Sequence, residues 1–95
     1  MSVLERVEIS AKEGMAGTLL AALRGQGAAL LTAVPGCLAV RSGGGVEQPD
    51  KVILLVDWAS LDAHEAFKKT PDYVTLAQMI FPLAAGAAAE HFSMA

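Results

Sequence analysis

Asparagine is absent from this chain, and cysteine, tryptophan and tyrosine occur once each. The lone thiol, Cys37, has no partner for an internal disulfide, so no crosslink supports the core and a reducing cytosol suits the chain. Charge is sparse as well. Seven basic residues against ten acidic ones leave a net −3, and the basic residues are scattered, which excludes the clustered positive footprint of a nucleic-acid binder. Long apolar runs are missing too. The longest uncharged stretch, Tyr73 to Ala89, contains Gln78, Pro82 and Gly86 and is short for a membrane-spanning helix. Glu5 places charge where a signal peptide would build its apolar core. We therefore expect a soluble, cytoplasmic protein with neither membrane nor nucleic acid as partner.

Apolar residues, in contrast, make up 54% of the 95, and mean hydropathy is +0.46. This length predicts one domain, residues 1–95. A domain of that size buries only about two-thirds of its unfolded surface. So much apolar sequence predicts a second copy of the chain to cover the excess.

Val52 to Val56 is an unbroken apolar run, rich in β-branched residues and of strand length. A strand with no polar face is expected to be covered on both sides. Asp57 and Trp58 end the run, Ser60 reads as a helix N-cap with Leu61 as the first helical residue, and His64 and Glu65 follow. A strand end that turns at once into a helix start is a good place for a ligand site.

Upstream, Val3 to Ile9 reads as a strand with Val3, Val7 and Ile9 on one face. Glu5 shares that apolar face, either as a strand-end carboxylate reaching solvent or as a pocket acid. From Met15 to Val34 apolar residues recur at three- and four-residue steps, predicting a helix stopped by Pro35 and Gly36. Gly25 and Gly27 inside it mark a kink or a close approach of another group. Cys37 to Ser42 predicts a strand with Leu38 and Val40 on one face. Gly43 to Gly45 lacks the helix start and lysine–serine pair of a phosphate loop, so a hairpin ending at Pro49 and Asp50 is expected. The helix from Ser60 to Lys69 breaks at Thr70 and Pro71, which cap a further helix running to Pro82. Ala87 to Met94 predicts a last strand. The order is that of an α+β, ferredoxin-like βαββαβ domain with a four-stranded antiparallel sheet. With helices on one face, the other face is expected to pack on a second copy, forming a dimeric α+β barrel.

These pieces together resemble the antibiotic biosynthesis monooxygenase family. The likeness rests on Ala11 to Gly14 after strand one and Val34 to Leu38 leading into strand two. It continues with Trp58 to Ser60, Ala63 to Phe67, and Thr70 to Tyr73. It spans nearly the whole chain and is more specific for fold than for activity. The resemblance implies a homodimer and a cofactor-independent monooxygenase acting on an aromatic or polyketide-like small molecule. The alternative is a non-catalytic small-molecule binding or sensing protein on the same scaffold. Two departures qualify the activity. The family's polyketide and haem oxygenases use an asparagine, which this chain lacks, Val7 standing at the position the haem degraders use. Those haem degraders also carry a histidine near Lys68, one turn beyond His64.

Among candidate residues, Trp58 shares a face with Val52, Leu54 and Val56 and reads as a core residue or a wall stacking on a flat substrate. His64 titrates near neutrality and suits proton abstraction, unless it is a surface histidine. Tyr73 is a hydrogen-bond donor or a lid contact, and Phe67 a further substrate contact. His91 alternates with Glu90 and Phe92; with Phe92 toward the helices, it is expected to face the partner copy. Asp57 is out of phase with Trp58. No metal, flavin or dinucleotide cofactor is expected, because His64 and Glu65 diverge on a helix and the other candidate ligands are scattered in sequence.

Overall fold

A computed structural model describes residues Met1–Ala95. Strand β1 (Ser2–Ala11) leads into a helical stretch made of α1 (Ala16–Ala22), a π-helical turn over Leu23–Gly27 and α2 (Ala28–Thr32). Strands β2 (Cys37–Gly44) and β3 (Lys51–Trp58) form the hairpin. Helices α3 (Leu61–Phe67) and α4 (Pro71–Ile80) follow, and a 3₁₀ turn over Phe81–Leu83 leads into β4 (Ala84–Met94). The sheet order is β2-β3-β1-β4, antiparallel throughout, which is the ferredoxin-like arrangement.

Register decides which side chains meet, because neighbours along a strand point to opposite faces. Trp58 lies opposite Val3, Val56 opposite Glu5, Leu54 opposite Val7 and Val52 opposite Ile9. On the other side of β1, His91 lies opposite Glu5, Ala89 opposite Val7 and Ala87 opposite Ile9. All of these face the helices. His91 therefore points into the helical layer and not toward the outer sheet face, reversing the expectation. That expectation gave the inner face to the apolar Phe92, whereas pairing with β1 assigns it to the small Ala87 and Ala89. Strand β2 carries a second correction: a bulge between Cys37 and Ala39 separates Leu38 from Val40 and leaves it 61% exposed.

The core consists of Ile9, Ala11, Val52, Leu54, Val56 and Trp58 from the sheet, with Leu19, Leu23, Leu31, Phe67 and Leu76 from the helices. The glycine signal in the first helical stretch resolves as the π-helical turn. A Cβ on Gly27 would lie 3.2 Å from the Ala22 carbonyl oxygen and 3.7 Å from Leu76 Cδ1, so the missing side chain lets α4 approach. Along β3 only one face is fully buried. Ile53 and Leu55, on the other, stay half-buried because no helix of this chain covers that side.

Gly36 ends the loop before β2 with φ +85° and its carbonyl accepts a 2.7 Å hydrogen bond from Ala59 N–H. A Cβ there would meet Ala63 Cβ of α3 at 2.6 Å. Gly36→Ala therefore combines left-handed backbone strain of roughly 1–2 kcal/mol with a clash that only a shift of α3 relieves. A thermal melt is expected to drop by at least about 8 °C, since about 1 kcal/mol moves a domain of this size by 4–8 °C. Gly17→Ala, in α1 with nothing near its missing Cβ, is expected to hold or raise the melt.

Candidate active site

Ser60 starts α3 by accepting a 3.2 Å hydrogen bond from Ala63 N–H, which places His64 one turn in, over the end of β3. Thr70 caps α4 in the same way, accepting from Tyr73 N–H at 3.4 Å with Pro71 in the first turn. Between these helices and the sheet lies a cavity of about 180 Å³. Its wall is largely aliphatic and aromatic, with Val7, Ile9, Leu54, Phe67 and Leu76 prominent. Glu5, His64 and Tyr73 supply its ionisable and hydroxyl groups. Tyr73 meets Phe67 edge to face at 5.6 Å and is 38% exposed, so it stands at the rim.

The candidates thus converge, with one correction. Trp58 is 0% exposed and does not line the cavity. His64 lies over it, ring centroids 5.1 Å apart and planes 27° from parallel, and Phe67 packs at 5.7 Å. The indole is too deep in the sheet to stack on a ligand, because α3 lays the imidazole across it. Its N–H points the other way and donates a 3.0 Å hydrogen bond to Glu5 Oε1. Glu5 Oε2 lies 3.4 Å from His64 Nε2, and His64 Nδ1 lies 2.9 Å from His91 Nε2. The result is a continuous line of polar groups: Trp58, Glu5, His64, His91.

Of the two readings open for Glu5, the geometry selects the pocket acid. The signal was its place in phase with Val3, Val7 and Ile9, since an acid on a buried face needs a partner. His91 could have been placed by taking phase from Ala87 and Ala89. Asp57 points to the opposite sheet face. Glu5, His64 and His91 also bring three potential metal donors within 4.8 Å of one another, a convergence across β1, α3 and β4 that linear spacing hid. Yet Glu5 and His91 address opposite nitrogens of the His64 ring, so the three surround an imidazole more naturally than one ion. Burial raises the pKa of the Cys37 thiol, which keeps it protonated and out of the chemistry.

Burial is the main influence on His64 and pushes its pKa below the ordinary 6.5. Glu5 opposes that shift, His91 and Lys68 add to it, and Glu65 opposes it weakly. Neutral imidazole thus dominates at pH 7. The unfolded chain binds this proton near pH 6.5 and the folded one only at lower pH. Stability linked to His64 is then full above about 6.5 and declines below it until the folded group also titrates. An NMR titration of the ring protons is expected to place the His64 midpoint below 6.5, and Glu5→Gln should lower it further. A midpoint above 6.5 would contradict this electrostatic picture.

Comparison with known proteins agrees with this architecture. The profile of the antibiotic biosynthesis monooxygenase family matches residues 2–78. A candidate antibiotic biosynthesis monooxygenase from Bordetella bronchiseptica superposes with a TM-score of 0.88 at 22% identity, covering 99% of this chain and 97% of that one. Similar candidates from Chloroflexus aurantiacus (TM-score 0.84, 20% identity, 100% and 94% covered) and Deinococcus radiodurans (0.84, 18%, 98% and 92%) share the fold. No functionally curated protein is a significant match. At these identities the structural likeness is one of fold, while the family profile spans most of the sequence. The chain belongs to the antibiotic biosynthesis monooxygenase family.

Proposed function

We propose that this protein is a cofactor-independent monooxygenase of small hydroxylated aromatics, and that it prefers single rings to fused polyketides. The observation that carries this reading is a small apolar cavity whose wall holds an imidazole beside a carboxylate. At about 180 Å³ the cavity is close to the roughly 150 Å³ engineered void that binds benzene. It lies below the roughly 300 Å³ where pockets for drug-sized ligands begin.

The chemistry draws on the substrate's own electrons. His64 takes the phenolic proton, and the ring, now electron-rich, passes an electron to O2. The two radicals join in a C–O bond, giving a dienone hydroperoxide after the proton returns. Loss of water breaks the O–O bond and leaves a quinone, so one oxygen atom stays on the ring, one leaves as water and no external reductant is consumed. The apolar wall keeps bulk water from the reacting centre. Tyr73 donates a hydrogen bond to the substrate oxygen, and Phe67 packs on the ring. Trp58 acts from behind by holding Glu5 and supporting the imidazole. Binding or sensing without turnover is the second reading, favoured by one observation: both His64 nitrogens already face protein partners.

We further propose that the outer sheet face pairs with a second copy. Leu4, Ile53, Leu55, Phe92 and Met94 lie on it, with Phe92 and Met94 at least 40% exposed. Sedimentation at micromolar concentration is expected to give a dimer, and Ile53→Arg a monomer. A compact wild-type monomer would contradict the pairing.

Oxygen consumption with phenol and hydroquinone substrates tests the activity, and a binder would consume none. His64→Ala is expected to cut kcat by about 10²-fold or more, the usual worth of a general base. Trp58→Phe leaves one Glu5 oxygen without its partner and should lower kcat more than it raises KM. An effect on KM alone would return Trp58 to a simple binding role.

A further inference from the structure

Glu5 and His91 are directly opposed across β1 and β4, and the ring of His64 descends from α3 between them. The two contacts it makes are unequal. The 2.9 Å approach of His64 Nδ1 to His91 Nε2 has full hydrogen-bond geometry. The 3.4 Å approach of Nε2 to Glu5 Oε2 exceeds the usual N–H···O range. The stronger bond therefore lies on the Nδ1 side. The partner of one imidazole nitrogen decides the state of the other. With the hydrogen on Nδ1 and donated to His91, a lone pair remains on Nε2, beside Glu5 on the cavity wall. His64 itself is 5% exposed, whereas His91 lies on the edge strand and is exposed.

We propose that His91 is a positioning residue that fixes the tautomer of His64 and forms the solvent end of a two-imidazole proton path out of the cavity. This rests on the oxygenase reading for its kinetic consequence only. A proton from the bound phenol enters at His64 Nε2. The hydrogen on His64 Nδ1 passes to His91 Nε2, and that on His91 Nδ1 passes to water. Each ring gains one proton and loses one, so neither keeps a charge, and the reverse sequence returns the proton to the peroxide, completing the hydroperoxide. The Glu5 carboxylate, 3.4 Å from Nε2, steadies the transient imidazolium. The titratable groups acting on His64 are Glu5 from β1, His91 from β4, Glu65 on α3 and Lys68 at its C-terminal cap. A shared metal is the competing use of the same residues, but it would have to draw both partners to one side of the ring.

Two measurements on the intact protein separate this inference from the oxygenase reading. Long-range nitrogen–proton NMR correlations of the His64 ring are expected to show the Nδ1–H tautomer in the wild type. They should show a shift toward Nε2–H in His91→Ala, and retention of Nδ1–H in His91→Gln, whose amide oxygen still accepts. With hydroquinone and O2, both variants are expected to lose about 10²-fold in kcat, the lower end of what proton transfer supplies, with KM little changed. Added imidazole should restore His91→Ala. An Nε2–H tautomer in the wild type would overturn the proposal, as would unchanged turnover in both variants. Ring signals that move when EDTA is added would also overturn it, by revealing an ion. A wild type that consumes no oxygen removes the oxygenase reading alone, and the ring assignments then decide the histidine pairing.

Discussion

The hydrogen bond from Trp58 to Glu5 is the constraint on which the site depends. A carboxylate on the inner face of a sheet loses much of its hydration, and burying it without donors is costly. The indole supplies a donor from the neighbouring strand, where cross-strand register places Trp58 and Glu5 within reach of each other. With its N–H turned toward Glu5, the flat face of Trp58 is left for α3. The Ser60 cap delivers His64 onto that face. His64 in turn closes one end of the cavity while leaving Val7, Ile9 and Leu54 as its floor. Removing the indole N–H would leave a buried acceptor unsatisfied, a defect of roughly 1–3 kcal/mol, and would loosen every group stacked upon it.

Much of the frame was legible from residues. Ser60 and Thr70 announced their helices because a side-chain oxygen before a helical run has one physical use there. The apolar run from Val52 to Val56 identified the central strand, and Pro35 with Gly36 the end of the first helical stretch. What local pattern could not supply was the phase of β4. That strand is mostly alanine and glycine before Glu90, so it has no apolar alternation of its own, and the large Phe92 misled about which face turns inward. Its register comes from β1, more than eighty residues away, and the Glu5–His64–His91 line follows from it. The bulge at Leu38 is likewise a product of pairing and not of composition. Of the two readings open for the indole, the core one holds and the stacking wall does not, for a related reason. Sequence shows that Trp58 faces inward, but not that an imidazole will be laid over it.

The two faces of the sheet divide the labour. The inner face holds the core and the polar line, so its substitutions act through packing and proton affinity together. The outer face carries half-buried aliphatics on β1 and β3, interleaved with the charge pairs Arg6–Glu90 and Lys51–Glu8. Such exposed pairs add little stability, yet they limit the ways in which a flat apolar surface can associate. The missing asparagine fits this division: here a carboxylate on β1, held by the tryptophan of β3, stands near the histidine of α3.

The central claim is that the cavity beneath α3 and α4 receives a small aromatic with its hydroxyl on His64. A crystal structure with hydroquinone bound under anaerobic conditions tests it most directly. The account predicts the ring between Phe67 and the sheet, one hydroxyl within about 3 Å of His64 Nε2, and the Trp58–Glu5 hydrogen bond intact beneath it. A ring bound on the outer sheet face, or one seated in the cavity with its hydroxyls turned away from His64, would contradict the account.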